Sequence, residues 1–268
     1  MKNVLVTGAT GGMGKAICSL LNEKGYRVFG LDYNEGENYG NVSFYKCDVT
    51  DMSCVEAVYA EITKETKELT AIIHTAGIYD LDSLIEMDEE RFVRIFDVNV
   101  FGVYRINKIF QPLLFTGSRI IITSSELAPL DPLPFTGIYG ITKSTLEKYA
   151  FSLRQETQLL DIPVSIIRPG AVKTDLLNIS NVALDRFRNK TKLYVESANN
   201  FQGIVDSVEA RHIPAEKIAE IALDALESKK PKYVYKINRN PLLLLMNVLP
   251  AKMQVFAIGL ILKPREKK

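Results

Sequence analysis

Short apolar segments alternate with longer amphipathic segments along most of the chain. The apolar segments have the length of buried strands, and the segments between them have the length of crossover helices. This alternation is typical of a parallel β-sheet with helices on both faces, because each parallel connection must cross back over the sheet. The sequence therefore predicts an α/β fold built on a doubly wound, parallel, seven-stranded sheet. The predicted strands are 2–7, 26–31, 42–46, 71–75, 118–123, 163–168 and 232–237, and the predicted helices are 13–24, 51–68, 89–113, 139–160 and 214–228; the polar connection 32–41 is predicted to be a loop.

Size and composition favour one domain over residues 1–268. The 268 residues, 47% of them hydrophobic, can form one large core, and no repeat or linker divides them. The 33 Lys and Arg residues balance 32 Asp and Glu residues, so no global charge attracts nucleic acid. Two distant histidines and three cysteines without a C-x-x-C pair predict no metal site. No apolar leader with a cleavage site follows Met1, and we expect a cytoplasmic protein.

A glycine-rich turn follows the first predicted strand. It reads Thr7-Gly8-Ala9-Thr10-Gly11-Gly12-Met13-Gly14 and leads into a predicted helix. Its glycines allow a tight turn and let backbone N–H groups approach a pyrophosphate at the helix N-terminus. Asp32 ends the second strand, where a carboxylate can accept hydrogen bonds from an adenosine ribose and would repel a 2′-phosphate. These features predict NAD rather than NADP, although the nearby cations Lys15 and Arg27 could oppose that preference.

The segment Tyr139-Gly-Ile-Thr-Lys143 carries a spacing suited to proton transfer. In a helix the two side chains lie one turn apart on the same face. A lysine ammonium near a phenol favours the phenolate. The spacing therefore predicts a tyrosine with a lowered pKa that acts as an acid or a base.

With these motifs in this order, residues 1–237 resemble the short-chain dehydrogenase/reductases, in their compact single-domain branch with a Rossmann-type fold. Asp48-Val49, Asn99, Ser124-Ser125 and the segment Pro169 to Thr174 also match the family pattern. The resemblance implies the catalytic residues Asn99, Ser125, Tyr139 and Lys143. It implies cofactor contacts from Gly8, Thr10, Gly12, Met13, Gly14, Asp32, Asp48, Val49, Ala76, Gly77, Tyr139, Lys143, Pro169, Gly170, Val172 and Thr174.

The resemblance also implies a mechanism of hydride transfer between NAD(H) and a secondary alcohol or ketone. Tyr139 would exchange a proton with the substrate oxygen while hydride moves to or from C4 of the nicotinamide, and Ser125 would hold that oxygen. Lys143 would lower the pKa of Tyr139 and bind the ribose, and Asn99 would link the lysine to solvent through water. The alternatives are an epimerase or isomerase that oxidises its substrate transiently, and a non-catalytic NAD-sensing protein.

The sequence departs from the family pattern at two places. His74-Thr-Ala-Gly stands where the compact branch has Asn-Asn-Ala-Gly, and a histidine there resembles the extended branch of nucleotide-sugar epimerases; we expect His74 to be a strand-end residue with a satisfied ring. Ser125 precedes Tyr139 by fourteen residues, one more than is usual. Thirteen residues before Tyr139 stands Glu126, which cannot donate a hydrogen bond when ionised. Ser125 is therefore the predicted substrate-binding serine, with Ser124 as the alternative, and the loop 129–134 is expected to absorb the extra residue.

Two segments are expected to decide the substrate. Residues 175–212 have weak periodicity and are predicted to be a loosely structured lid. Residues 241–262 form a hydrophobic tail, interrupted too often by polar residues and Pro250 to span a membrane. Three roles stay open for the tail: an interface in a homodimer or homotetramer, a peripheral membrane contact through 241–268, or a cover over a lipophilic pocket. The expected substrate is a bulky lipophilic alcohol or ketone of the steroid, bile acid or retinoid class.

Overall fold

The computed structural model describes residues 1–173, 175–209 and 212–263. Within these residues, seven strands form one parallel sheet in the order β3-β2-β1-β4-β5-β6-β9, and the short strands β7 and β8 pair separately. The doubly wound fold predicted from the sequence is confirmed. The strands are β1 (Asn3–Thr7), β2 (Arg27–Asp32), β3 (Val42–Lys46), β4 (Leu69–His74), β5 (Leu114–Thr123), β6 (Val164–Pro169), β7 (Val172–Lys173), β8 (Ile213–Pro214) and β9 (Val234–Ile237).

Helices cover both faces of the sheet. The α-helices are α1 (Gly12–Glu23), α2 (Met52–Glu65), α3 (Glu89–Phe96), α4 (Gly102–Phe110), α5 (Gly137–Thr157), α6 (Asp175–Lys190), α7 (Val195–Glu209), α8 (Glu216–Glu227), α9 (Pro241–Val248) and α10 (Ala251–Leu262).

Strand β1 shows how one apolar run serves both layers of the core. Successive side chains of a strand point to opposite faces of the sheet. Val4 and Val6 are buried in a cluster with residues of α1 and α8, whereas Leu5 is buried in a cluster with residues of α2 and α4. A strand that packs on both sides must be apolar at every position, which explains the continuous run Val4-Leu5-Val6.

The predicted helix 89–113 is wrong as a single α-helix. A π-helical turn, Asp97–Phe101, separates α3 from α4, and a 3₁₀ turn, Gln111–Leu113, follows α4. Turns of the π type often occur at functional sites. This one carries Asn99, which is almost completely buried. By contrast, residues 33–41 form no helix, as predicted.

The prediction of a loose segment at 175–212 is also wrong, because its described part forms α6 and α7. These helices pack around an aromatic cluster centred on Phe135, whose ring centre lies 4.6 Å from that of Phe187 and 5.3 Å from those of Tyr194 and Phe201. Helices that share a small satellite cluster lack the broad apolar stripe of a helix on the sheet. The periodicity is weak for this reason, and the lid role of this segment stays a prediction.

The hydrophobic tail forms α9 and α10, with a break at Leu249-Pro250. Asn247 Oδ1 in α9 accepts a hydrogen bond from the Asp131 backbone N–H at 3.0 Å, and Gln254 Nε2 in α10 donates to Asp131 Oδ2 at 2.9 Å. The tail is therefore docked on the proline-rich loop 129–134. In the part of the chain that the structure describes, no helix is long and apolar enough to cross a membrane. Of the predicted basic end, residues 264–268 lie outside the described residues.

Candidate active site

A cavity of about 300 Å³ lies at the carboxyl ends of the sheet strands. Strands β1 and β4 are neighbours there, and the order of connections reverses between them. In doubly wound folds, ligands bind at this reversal point. The predicted site residues that line the cavity are Gly8, Gly12, Met13, Gly14, Gly77, Ser125, Tyr139, Lys143, Pro169, Gly170 and Val172.

Glycine is required at two positions of the turn after β1. Gly8 has a φ of +68°, and a Cβ atom there would lie 2.5 Å from the Ala76 backbone nitrogen. A Cβ atom at Gly14 would lie 2.0 Å from the Gly8 carbonyl oxygen. Helix α1 starts beside the cavity with Gly11 as its N-cap, and no side chain caps its first turn. The open backbone N–H groups at this end suit a pyrophosphate.

Asp32 is held rigidly beside the glycine turn. Its Oδ2 accepts a hydrogen bond from the Thr10 N–H at 3.0 Å, and its Oδ1 accepts one from the Asn34 N–H at 2.9 Å. Each carboxylate oxygen keeps capacity for a further donor, such as a ribose hydroxyl.

Arg27, which the sequence offered as a cation that could oppose the effect of Asp32, is paired with another carboxylate. It begins β2, whereas Asp32 ends that strand, and its guanidinium pairs with Glu65 at 2.6 Å. Five residues of strand separate the two positions by about 16 Å.

The remaining predicted cofactor residues that the structure describes lie outside the lining of the cavity. Asp48 and Val49 follow β3, where the Cys47 N–H donates to the Asp32 carbonyl at 2.7 Å. Thr10 contacts Asp32, and Ala76 packs against Gly8. Thr174 lies outside the described residues. Among the described residues, no cluster of three His, Cys, Asp or Glu side chains could hold a metal ion.

Tyr139 and Lys143 lie on the first turns of α5 and both line the cavity. Lys143 Nζ lies 5.7 Å from the centre of the Tyr139 ring and donates to the Thr123 carbonyl at 3.1 Å. Burial raises the pKa of Tyr139 to about 12, opposed by a hydrogen bond with Ser125. Burial also lowers the pKa of Lys143 to about 8, opposed by the charge of Glu147. The tyrosine shift is opposite to the expected lowering, because desolvation disfavours the phenolate.

The two serines after β5 have different partners. Ser124 Oγ donates to Glu147 Oε1 at 2.8 Å, and the same carboxylate accepts from Arg168 Nε at 2.7 Å. Ser125 Oγ instead accepts from the Leu127 N–H at 3.1 Å and interacts with the Tyr139 hydroxyl. This arrangement favours Ser125, which stays our prediction for the serine that holds the substrate oxygen.

Asn99 uses its side chain to fix the cavity wall. Its Oδ1 accepts from the Ile78 N–H at 2.8 Å, and its Nδ2 donates to the Ile78 carbonyl at 2.9 Å and to Thr142 Oγ1 at 3.1 Å. These bonds join the segment after β4 to α5. The side chain thus has a positioning role here, and the proton relay through Asn99 stays a prediction.

The ring of His74 is only half satisfied. Nε2 lies 2.9 Å from Asn107 Oδ1, whereas Nδ1 is buried and has no hydrogen-bond partner among the residues that the structure describes. Burial lowers the pKa of His74 to about 4. The expectation of a satisfied ring is therefore met at one nitrogen only. A histidine that stays neutral near pH 7 fits this apolar position in the core.

Three residues near the predicted catalytic residues did not emerge as site residues from the sequence. The ring of Tyr79 lies 5.0 Å from that of Tyr139, and Glu126 and Leu243 line the cavity. Glu126 stands thirteen residues before Tyr139, where the family usually has its serine. The sequence did not assign it to the site, because an ionised carboxylate cannot donate a hydrogen bond. Leu243 belongs to the tail, and only its long-range packing reveals its place.

These features fit a nicotinamide dinucleotide. The glycine turn leaves backbone room for a pyrophosphate, Asp32 offers acceptors for the ribose, and Tyr139 and Lys143 face the same cavity. Residues 2–183 match the family described as short chain dehydrogenase. The chain belongs to this family. Its members are oxidoreductases that use a nicotinamide cofactor.

Three curated relatives and one solved structure are similar to this dehydrogenase over much of its length. It is 26% identical over 235 residues to 3-ketodihydrosphingosine reductase of Bacteroides thetaiotaomicron, with 87% of each chain covered. It is 29% identical over 254 residues to NADPH-dependent 3-dehydrocapnine reductase of Ornithobacterium rhinotracheale, with 88% of each chain covered. It is 29% identical over 195 residues to mouse estradiol 17-beta-dehydrogenase 2, covering 68% of this chain and 51% of that protein. A short chain dehydrogenase family protein from Francisella tularensis superimposes with a TM-score of 0.74 at 26% identity, covering 88% of this chain and 97% of that one.

Proposed function

We propose that this dehydrogenase transfers hydride between NAD(H) and a bulky, lipophilic secondary alcohol or ketone. The proposal rests on the wall of the cavity, which combines a few polar groups with many apolar side chains. The proposed reacting groups Ser125, Tyr139 and Lys143 belong to this wall. The rest of the wall includes apolar side chains from the loop after Ser125, from α7 and from the tail, namely Leu127, Leu133, Phe201, Ile204, Val205 and Leu243. A largely apolar pocket with few polar groups selects a lipophilic substrate and orients its one reactive oxygen.

Four side chains have separate roles in the proposed proton transfer. The bound nicotinamide supplies or accepts the hydride. In ketone reduction, the Tyr139 phenol donates a proton to the substrate oxygen, and Ser125 donates a hydrogen bond that holds this oxygen in place. Lys143 is fixed by the Thr123 carbonyl and keeps a positive charge near the tyrosine as its proton leaves. Asn99 supports α5 against the segment after β4, which keeps the tyrosine and the lysine in position.

Asp32 supports NAD as the preferred cofactor. Its carboxylate is fixed by two backbone N–H groups next to the glycine turn, where it would meet a 2′-phosphate with like charge. Arg27 is paired with Glu65 at the other end of β2 and cannot neutralise it. The relative named as NADPH-dependent makes this preference the sharpest point to test.

The names of the relatives agree with a lipophilic substrate. They include a reductase of 3-ketodihydrosphingosine and a dehydrogenase of estradiol. The relatives are therefore consistent with a lipid or steroid class and do not choose between a long chain and a ring system. We retain the steroid, bile acid and retinoid classes and add long-chain ketones to them.

A substrate panel tests the proposal directly. Hydroxysteroids, retinoids, long-chain ketones, simple sugars and short alcohols are assayed in both directions by the absorbance of the reduced cofactor, with NAD(H) and NADP(H) in parallel. We expect turnover of at least one bulky lipophilic compound, with NAD(H) preferred. Turnover restricted to sugars or short alcohols contradicts the proposed substrate class. Isomerised substrate without net change of cofactor supports the epimerase alternative instead.

We further propose that the outer face of the tail rests on an anionic lipid surface. Its exposed apolar side chains include Leu242, Leu245, Val255, Phe256 and Leu260. Exposed apolar residues concentrated in one segment of a chain often mark an interaction site. Residues 241–263 contain Lys252 and Lys263 and no Asp or Glu. Basic residues beside an apolar helix favour anionic lipid.

Vesicle binding separates this role of the tail from an interface between subunits. We expect the protein to sediment with vesicles of anionic phospholipid, and Phe256→Glu to weaken this binding. The control is Leu159→Glu, which changes an even more exposed apolar residue outside the tail. If Phe256→Glu instead converts a homodimer or homotetramer into a monomer and leaves vesicle binding unchanged, the tail face is a subunit interface.

A further inference from the structure

Glu126 places a buried carboxyl group in the wall of the substrate cavity. It directly follows Ser125 and is 4% exposed. Its Oε2 accepts a hydrogen bond from the Asn240 N–H at 2.6 Å, at the residue that caps α9. Within the described residues, no hydrogen bond reaches Oε1 of Glu126. One oxygen of the carboxyl group is therefore bound by the protein, and the other has no donor.

The second carboxyl oxygen of Glu126 also lacks a positively charged partner among the described residues. No cationic side chain in the described part of the chain lies within ion-pair distance of Glu126, and Arg239 acts only as a more distant charge. Burial raises the pKa of Glu126 above its ordinary value. Oε1 of Glu126 is not among the fully enclosed side-chain atoms without a partner, and Glu126 lines the cavity, so this oxygen is reached from the cavity. A carboxyl oxygen without a protein donor needs water or a ligand as its partner, and a donor group on a bound substrate can take that place.

Gly170 keeps the space beside Oε1 open. A Cβ atom at Gly170 would lie 3.0 Å from Oε1 of Glu126 and 1.9 Å from the Asn238 carbonyl oxygen. Both Gly170 and Glu126 line the cavity, as do Ser125 and Tyr139. The second carboxyl oxygen therefore borders the pocket in which the reactive oxygen of the substrate is held.

We propose that Oε1 of Glu126 accepts a hydrogen bond from a hydroxyl or ammonium group of the substrate, located close to the reacting carbon. The substrate is then amphiphilic: its apolar body fills the side of the cavity lined by α7 and the tail, and a second polar group next to the carbonyl binds Glu126. This inference rests on the proposed function and narrows its substrate class. Because Glu126 acts on the substrate through a group that does not react, it is a residue that determines specificity.

Three matched ketones test the inference. They are 2-dodecanone, 1-hydroxy-2-dodecanone and 1-amino-2-dodecanone, which share a chain and differ only in the group beside the carbonyl. The wild-type protein is expected to reduce the hydroxyl or amino compound with a kcat/KM about tenfold above that of 2-dodecanone, which is the effect of one added hydrogen bond. The amino and hydroxyl compounds, compared with each other, show which donor is preferred.

The variant Glu126→Gln separates recognition from support of the tail. Its amide oxygen can still accept from the Asn240 N–H, while the amide nitrogen replaces the free acceptor. We expect the ratio of kcat/KM for the hydroxyl or amino ketone to kcat/KM for 2-dodecanone to fall by about tenfold, while the melting temperature and NADH binding stay nearly as in the wild type. Equal losses for all three ketones would show a supporting role only and overturn the inference.

The wild-type protein alone also decides the matter if the variant does not fold. Equal kcat/KM for the three ketones overturns the role of Glu126 and leaves the proposed function standing. Reduction of none of the three, combined with no turnover of any lipophilic compound in the wider panel, overturns both.

Discussion

Tyr139 and Lys143 share one side of α5, yet burial shifts their pKa values in opposite directions. The pKa of the tyrosine rises to about 12 and that of the lysine falls to about 8. Near pH 7 the phenol therefore keeps its proton and the ammonium keeps its charge. This combination is ready to donate a proton, which is the step that ketone reduction requires.

The first prediction concerns the pH dependence of the two directions. Alcohol oxidation needs the phenolate, whose fraction rises about tenfold per pH unit below the pKa of Tyr139, so its rate should increase from pH 7 toward pH 10. Ketone reduction needs the phenol and the charged lysine, so its rate should fall above about pH 8 as Lys143 loses its proton. Initial rates in both directions measure this. Tyr139→Phe serves as the control and should lose about 10²- to 10⁴-fold in kcat at every pH while still binding NADH.

The second prediction compares the two serines. Ser125→Ala should lower kcat by about 10²-fold, because it removes the donor to the substrate oxygen. Ser124→Ala should change kcat little, because its hydroxyl is bonded to Glu147, which keeps its bond to Arg168. Steady-state kinetics of the two variants provide the measurement. The opposite order would assign the substrate oxygen to Ser124.

The third prediction concerns the cofactor. Asp32→Ala should reduce the preference for NAD by about tenfold or more, because it removes a negative charge that would face the 2′-phosphate. The double variant Asp32→Ala, Tyr33→Arg should narrow the preference further or reverse it. The ratio of kcat/KM for NAD and NADP is the quantity to compare. A wild-type protein that uses NADP as well as NAD would show that Asp32 does not select the cofactor.

The fourth prediction links His74 to acid stability. The lowered pKa means that the unfolded chain binds a proton more readily than the folded protein does. This costs the folded state nothing above about pH 6.5 and progressively more stability down to about pH 4, where the loss reaches about 3 kcal/mol. His74→Gln should therefore flatten the fall in unfolding free energy over this range, as measured by urea denaturation. The slope of unfolding free energy against pH between about pH 4 and 6.5, in the wild type and in the variant, is the quantity to compare.

The fifth prediction concerns the wall that the tail contributes. Leu243 is 6% exposed and lines the cavity, whereas Leu245, two residues later, is 63% exposed. Leu243→Ala should raise KM severalfold for a bulky lipophilic substrate and less for a small one, because it removes apolar contact from the pocket. Leu245→Ala should change neither KM. Equal KM values for both substrates in Leu243→Ala would place the bulky group elsewhere in the cavity.

Local patterns predicted the sheet and the reacting pair. Strands buried on both faces are apolar at consecutive positions, as in Val4-Leu5-Val6, and a helical spacing joins Tyr139 to Lys143 without help from the rest of the fold. The remaining parts depend on contacts between distant segments. The break at Asp97–Phe101 accompanies bonds between Asn99 and Ile78, and the place of Leu243 depends on docking of the tail across the loop 129–134. The hydrophobic periodicity of a short segment gives no information about such long-range contacts.

The backbone of Phe135 links the aromatic cluster around its ring to the start of α5. Its φ of 67° lies in the left-handed region, which costs a bulky residue about 1–3 kcal/mol. Its ring contacts with Phe187, Tyr194 and Phe201 contribute about 0.5–1.5 kcal/mol each beyond burial. The contacts are comparable to the strain, so the left-handed backbone at Phe135 persists because its ring is packed against the aromatic rings of this segment. A change that loosens this aromatic packing therefore also releases the backbone just before α5, the helix that carries Tyr139 and Lys143.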